Sequence, residues 1–566
     1  MGMDDIVHCD LLVIGSGFAG LWAAIAARDG GLEKVAIVDK GAVGLSSMSR
    51  MSAGATVYCL PRFDPERWMK AFIRAQGYLS RQDMLEEIIG TSHSRLRSLE
   101  AWGVEYQRNP LTRSYLTLPS RGLDHVRMMV LPRWRDRTGG TAVVSALLAQ
   151  VRKRGIARYG KIIIAGLLCG GGRVCGAVGI DRLTGKPVTF RARAVILAAA
   201  DCSFRGHYAC VEGVTGDAFK LAYDAGVRLS NMEFLAVNTG PPRYGFEGTG
   251  IAARCGARFL DGSGKAFMRA HHAGGDKAEI CYLVQAMADA AEGGSGPPFY
   301  LDMSRLPGRW IIRKALLSIG GWMPLNIAKL REMGEDIFTS PQEWGPAVQS
   351  LRGGVRAGAD CMSDLPGLFA AGTSLSVDPG LFNGWSSMLA MWSGEKAGRE
   401  AARFVRDSGD TVIERENVER MRKDVLAPSR PGAGTTPDVV CRRLQEAVFP
   451  YLICILKRED RLQAALQEVE RIRDEDVPSL RAPVPHELVK AHETVGMVLA
   501  AELFLRASLE RRESRGDHLR QDHPRRDNAH WLQWVNLSKG GGGEPRVELE
   551  RVPLSRYPMQ PAPGGE

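Results

Sequence analysis

At 566 residues with 45% hydrophobic content, the chain has apolar material for two or three cores and is too long for one. No run of eighteen apolar residues occurs and the N-terminus carries no basic leader before its first strand, so a membrane span is excluded and a cytoplasmic protein is expected. The net charge of +10 comes from arginines interleaved with Asp and Glu, without the aromatic-interleaved basic motifs that read nucleic acid.

The first sixty residues predict a βαβ start: a strand over Cys9 to Ile14, a glycine turn, an apolar helix over Leu21 to Arg28, and a second strand over Lys34 to Val38. The turn, Gly15-Ser16-Gly17-Phe18-Ala19-Gly20, has the GxGxxG spacing that binds a dinucleotide pyrophosphate at a helix N-terminus. Asp39-Lys40 ends the second strand, where a carboxylate accepts ribose hydroxyls.

From Pro65 to Arg108 the spacing is helical, and Arg191 to Ala200 reads as a strand buried on both faces. Segment 236–350 is rich in Gly and Pro and reads as an inserted middle domain. The strand Gly367 to Ala371 and the helix Ser386 to Ala402 return to the cofactor domain. Beyond residue 411, amphipathic helices over Val412 to Leu426, Leu462 to Arg473 and His486 to Arg512 predict a small bundle. The four glycines at 540–543 and a Pro-rich end read as an extended tail. The expected divisions are therefore 1–235, 236–350, 351–410, 411–538 and 539–566.

Eleven cysteines lie scattered from Cys9 to Cys454 with no CxxC cluster, which excludes an iron–sulfur centre of the chain's own. No metal site is expected: His271-His272 lacks a third ligand at suitable spacing.

Further segments carry a family resemblance. Gly44-Leu45-Ser46-Ser47 followed by Arg50, Ser52, Ala53 and Gly54 is similar to the flavin-wrapping segment of the fumarate reductase, succinate dehydrogenase and L-aspartate oxidase flavoproteins. Gly216-Asp217, Met232-Glu233-Phe234, the stretch Leu365 to Gly372, and Glu513-Ser514-Arg515-Gly516 with His518, Arg520, Asp522 and Pro524 resemble that family's other signatures, in the same order. The resemblance implies an α/β fold: a split Rossmann-like FAD-binding domain, an inserted α+β capping domain and a C-terminal helical domain. It implies FAD, held noncovalently because Ser47 falls where some relatives carry a flavin-linking histidine. Its contacts would be Gly15, Ser16, Gly17, Phe18, Ala19, Gly20, Asp39, Lys40, Ser46, Ser47, Ser52, Ala53, Gly54, Ala199, Asp217 and Gly372. Ser386, Ser387 and Met388 would join them from the helix that faces the flavin.

The resemblance breaks at the substrate. Where C4-dicarboxylate enzymes carry histidines in HPTG and HYTMGG, this chain has Val237-Asn238-Thr239-Gly240 and Gln349-Ser350-Leu351-Arg352-Gly353-Gly354. The NRLGGNSL arginine has no counterpart in Leu381 to Ser386, and two departures touch the cofactor: Thr373 for an acid after GLFAAG, and Asp201 ending the usual ATGG. A dicarboxylate needs paired, charge-assisted anchors, so a different small substrate is expected, in a branch near the adenylylsulfate reductase flavoprotein. Candidate catalytic arginines are Arg243, Arg254 and Arg258, each also readable as a structural ion pair. Electrons would pass to or from a separate ferredoxin-like iron–sulfur subunit. The alternative readings are a self-sufficient oxidase or dehydrogenase similar to L-aspartate oxidase, and a degenerate, non-catalytic flavoprotein subunit.

Overall fold

The computed structural model describes residues 6–120, 123, 125–129, 139–245, 249–306, 308, 329–330, 332–336, 338–380 and 382–561, the side chains of residues 251 and 254 excepted. The cofactor unit is built on β1 (Ile6–Ile14), α1 (Phe18–Asp29), β2 (Val35–Asp39), β3 (Ala157–Gly160), β4 (Ile162–Gly170), β5 (Arg173–Asp181), β6 (Pro187–Leu197), β7 (Leu368–Ala370) and α2 (Trp385–Asp407). The strands form one sheet in the order β3-β2-β1-β6-β5-β4. β1 runs parallel to β2 and to the full length of β6, while β4, β5 and β6 form an antiparallel meander. The second half of β6 also pairs in parallel with β7, which is how a strand nearly two hundred residues downstream rejoins the first domain.

The central strands are apolar where both faces are covered, Leu11 to Ile14 of β1 and Val195 to Leu197 of β6 being buried, while Arg191 and Arg193 earlier in β6 stay partly exposed. One side is covered by α1, itself covered by α2. The two helices touch backbone to backbone because Gly394 and Gly398 lie against Ala19 and Ala23. A Cβ at either glycine would come within 2.3 Å and 2.2 Å of the facing carbonyl oxygens. That close approach sets the start of α1 against Gly394, so the N-terminus of α2 reaches about two and a half turns beyond that of α1.

The middle unit leaves and returns through two strands that pair antiparallel, Leu235–Gly240 with Gly345–Leu351. It holds a three-stranded sheet (Arg258–Leu260, Tyr300–Asp302, Gln342–Glu343), the helix Ile280–Glu292, and its own small core around Phe259, Met287, Leu301 and Trp344. The C-terminal unit carries the helices Arg415–Val425, Pro437–Val448, Glu459–Arg471 and Pro485–Glu510. The terminus departs from the expected extended tail. Gln533–Lys539 pairs with Pro545–Arg551 in a hairpin, and the four glycines make its turn, with Gly543 at φ +93°. Glycine runs supply turns as readily as linkers, and the flanking strand residues decide which. No helix among the described residues is long and apolar enough to cross a membrane.

Two signatures singled out in the sequence meet in the core. Glu233 binds Arg511 at 2.7 Å, and Glu513 binds Arg511 at 2.9 Å and Arg515 at 2.7 Å, all four side chains fully enclosed. Buried charges persist only when paired and hydrogen-bonded, so these acids and arginines bolt the C-terminal unit to the cofactor unit.

Candidate functional site

A cavity of about 1500 Å3 runs from the first βαβ turn to the pairing strands of the middle unit. That exceeds the ~300–1,000 Å3 usual for one small ligand and leaves room for an elongated dinucleotide and a substrate together.

One half is backbone. Gly15 sits at φ +104°, and a Cβ there would lie 2.2 Å from the Ala198 carbonyl oxygen. α1 starts at Gly17 with no side-chain cap and no acid in its first turn. α2 likewise starts at Gly384, φ +80°, uncapped and without an acid. Two helix N-termini with their positive dipole ends on one cavity form a cradle for a ligand with negative charge at two places. Such a cradle fits the FAD pyrophosphate on α1 and the electron-rich edge of the flavin on α2.

Gly15, Ser16, Gly17, Phe18, Ala19, Asp39, Lys40, Ser46, Ser47, Ser52, Ala53, Gly54, Ala199, Asp217, Gly372, Ser386 and Ser387 all line this cavity. Gly20 and Met388 do not. A Cβ at Gly20 would meet the Gly15 carbonyl at 1.9 Å, so this glycine closes the turn, and Met388 is buried in the core. Asp39 is also busier than expected. It accepts from Ser16 N at 2.9 Å, from the Ser16 hydroxyl and from Gly41 N at 2.7 Å, holding the turn as well as facing the cavity. Lys40 and Asp217 pair with one another at 2.8 Å, and Lys40 reaches Glu493 at 2.8 Å. Burial opposes the Lys40 charge, but the two carboxylates more than offset it and raise its pKa.

The other half is side chains. Asn238 and Gln349, standing where the histidines of the dicarboxylate enzymes fall, hydrogen-bond each other at 3.0 Å. Arg352 is almost fully buried yet lines the cavity, reaching Ser386 Oγ and Asp378 Oδ1 at 3.4 Å each. Asp201 is enclosed and accepts from the Ser350 hydroxyl; burial pushes its carboxyl up to about 6 against the pull of Ser350 and Arg352. It stands close to Thr373, whose hydroxyl helps hold it down, so the acid absent from position 373 is present next door. Asp517 also lines the wall, and burial raises it to about 6 despite Arg352 and Lys457.

Arg352 and Asp517 were not among the sequence candidates. Arg352 stands inside the stretch aligned with HYTMGG, an arginine beside a glycine pair, and that was the one signal available. The structure does not bring Arg243 or Arg258 to the cavity. Arg258 pairs with Asp302 at 3.3 Å with its side chain 43% exposed, and Arg243 is exposed on a loop; neither is among the lining residues. Arg258 opens the edge strand Arg258–Leu260 opposite Asp302 of the neighbouring strand, and that carboxylate holds its guanidinium. Arg254 ends the helix Thr249–Arg254, and its side chain lies outside the described residues.

Among the described residues, Glu470, Glu502 and Glu544 form the one acidic group tight enough for a metal ion, and Arg473 and Arg506 are interleaved with all three as an ion-pair network.

The FAD binding domain model matches residues 10–387, and the fumarate reductase flavoprotein C-terminal model matches residues 442–564. One component of the fumarate reductase (CoM/CoB) of Methanothermobacter marburgensis is 29% identical over 94% of this chain and 98% of that protein. In three dimensions the chain superposes on the E. coli quinol fumarate reductase flavoprotein with a TM-score of 0.87 at 20% identity, covering 98% of both chains. Adenylylsulfate reductase of Archaeoglobus fulgidus gives a TM-score of 0.80 at 20% identity over 97% and 96% of the two chains. At these identities the structural likenesses speak for the fold. The matched models, spanning both the cradle and the buried Arg–Glu signature, decide the family: the chain belongs to the FAD-binding flavoproteins of fumarate reductase and succinate dehydrogenase type, and is an FAD-dependent oxidoreductase.

Proposed function

We propose that the chain is the flavoprotein subunit of a two-component oxidoreductase, which oxidises or reduces a small molecule other than a C4 dicarboxylate and exchanges electrons with a separate iron–sulfur protein. The observation that carries this reading is the amide pair Asn238–Gln349 beside one buried arginine already engaged by Asp378, where a dicarboxylate would require cations at both ends. A dianion placed there would have one carboxylate without a charge-assisted partner, a penalty of several kcal/mol in a buried site.

Bound FAD supplies a two-electron acceptor or donor of hydride. This chain's residues do the rest: the α1 and α2 N-termini orient the two anionic ends, and the Asn238–Gln349 pair and Arg352 position the reacting carbon. Asp201, with its carboxyl at about 6 and the Ser350 hydroxyl donating to Oδ2, is placed to hold or release a proton at Oδ1. The cofactor is held noncovalently, since Ser46, Ser47 and Ser49 surround the start of the helix Met48–Met51 and the one histidine among the described residues of the cavity wall, His486, is taken by Arg182 at 3.0 Å.

The iron–sulfur partner is inferred from the eleven free cysteines, which are dispersed through all three units with no cluster spacing. Free thiols in that number also suit a reducing, cytoplasmic compartment. Anaerobic mixing tests the whole reading. The flavin, once reduced, should pass electrons to a ferredoxin-type protein and stay reduced in fumarate, and the oxidised form should not bleach with succinate. Rapid reoxidation by fumarate would refute the substrate reading.

A further inference from the structure

Within that reading, two charged groups on the wall of the substrate half narrow the class of substrate. Arg352 is only 5% exposed, and its Nε has no hydrogen-bond partner. Its two contacts, Ser386 Oγ and Asp378 Oδ1, are long at 3.4 Å. Asp378 is itself anchored by Trp385 Nε1 at 2.6 Å, so it steers the guanidinium from behind without saturating it. An enclosed guanidinium with unmade bonds is unfavourable until an acceptor arrives, and a carboxylate meeting its planar fork is the acceptor it fits best.

Asp517 is the opposite charge on the same wall. It shares its surroundings with Arg352 and Lys457, yet the ion pair of Arg352 is with Asp378. The Lys457 ammonium is turned away, donating to the Glu233 carbonyl at 2.7 Å and meeting His518 Nδ1 at 3.0 Å. Of the other charges on these walls, three are committed elsewhere: Arg515 to Glu513 and the Gly77 carbonyl, Arg205 to Glu493, and Asp201 to Ser350. Arg526 and Glu279 line the cavity too, the latter beside the first turn of the helix Ile280–Glu292.

We propose that Arg352 and Asp517 form a two-ended recognition site for a zwitterion with a single carboxylate, Arg352 taking the carboxylate and Asp517 the protonated amine. The inference rests on this half of the cavity being the substrate compartment. It explains why one arginine suffices where a dicarboxylate needs paired cations, and why a carboxylate tolerates enclosure there without a partner of its own.

The test is calorimetric titration of the full FAD-loaded chain with four probes of equal carbon number: L-norvaline, pentanoate, pentylamine and glutarate. L-Norvaline should bind most tightly and glutarate most weakly. Arg352→Gln should weaken L-norvaline and pentanoate about tenfold or more while sparing pentylamine. Arg352→Lys should recover part of that loss. Asp517→Asn should weaken L-norvaline and pentylamine and spare pentanoate. Flavin content of each variant shows that the fold is retained. Four probes bound alike or not at all, glutarate bound best, or variants that move every probe together would overturn the proposal. Failure of the underlying reading would show separately, as reoxidation of the reduced flavin by fumarate.

Discussion

In the cofactor half of the cavity the recognising groups are backbone: the glycine turn, two uncapped helix ends and a carbonyl at Ala198 that tolerates no Cβ nearby. In the substrate half they are side chains projecting from strands and loops, Arg352, Asp517, Asn238 and Gln349. Backbone recognition needs particular residues at particular spacings, because only glycine takes φ +104° at a close approach. Side-chain recognition needs only that some segment deliver the right group, so a charge can leave one segment and return from another. Arg352 beside Ser386, and Asp201 beside Thr373, both supply a charge that a neighbouring segment lacks.

The sharpest way to break the comparison is Gly15→Ala. The new Cβ would overlap the Ala198 carbonyl in a left-handed backbone, with no flexible side chain to give way. We expect loss of bound FAD together with about 5 kcal/mol or more of stability, read from flavin absorbance per chain and from soluble yield. A yellow, stable variant would show that the cradle is looser than its geometry. Next in size is Glu513→Gln, which leaves Arg511 and Arg515 enclosed with their shared carboxylate neutralised. Removing one partner of such a network costs about 3–5 kcal/mol, measurable by denaturant unfolding with FAD at saturation.

These two effects also mark what the sequence made legible. The βαβ start, the return strand β7 and the long helices are periodic or punctuated by glycine, and their positions in the fold follow from local pattern. The ESRG and MEF segments were recognisable as signatures, but their mutual pairing is a contact across 278 residues that no local pattern contains. The arginines at 243 and 258 looked functional because they cluster in sequence; an exposed loop and an ion pair with Asp302 place them elsewhere. Arg352 and Asp517 are 165 positions apart and become a pair only when the C-terminal unit folds over the cofactor unit.

A smaller and pH-dependent effect belongs to Asp201→Asn. Burial lifts the Asp201 carboxyl from 3.8 to about 6, so on raising the pH the unfolded chain ionises first. Between those values the native state holds the extra proton, and stability falls as pH rises; above about 6 the penalty is constant. A shift of two units corresponds to roughly 3 kcal/mol, an upper bound for what the asparagine recovers at pH 8. The variant should therefore be more stable than the parent at pH 8 and equal to it near pH 4, with the Asp517 contribution cancelling because both proteins share it. Unfolding midpoints across that range check the sign. A variant less stable at every pH would mean that the Asp201–Ser350 contact outweighs the burial of the charge.

The smallest effect is expected at Arg258→Ala, and it is informative for that reason. The guanidinium is 43% exposed and meets the buried Asp302 at 3.3 Å, so solvent screens the pair from the arginine's side only. Asp302 keeps the Ser304 backbone N–H at 2.9 Å and the Ser304 hydroxyl at 2.6 Å, so its carboxylate is not abandoned when the arginine goes. The loss should be about 1–2 kcal/mol, and flavin content and probe affinities should match the parent. A fall in affinity for pentanoate comparable to that of Arg352→Gln would move the carboxylate anchor out of the cavity wall and into the middle unit. The present geometry opposes that outcome, because Arg258 lies outside the cavity wall and would have to abandon Asp302 to reach the substrate.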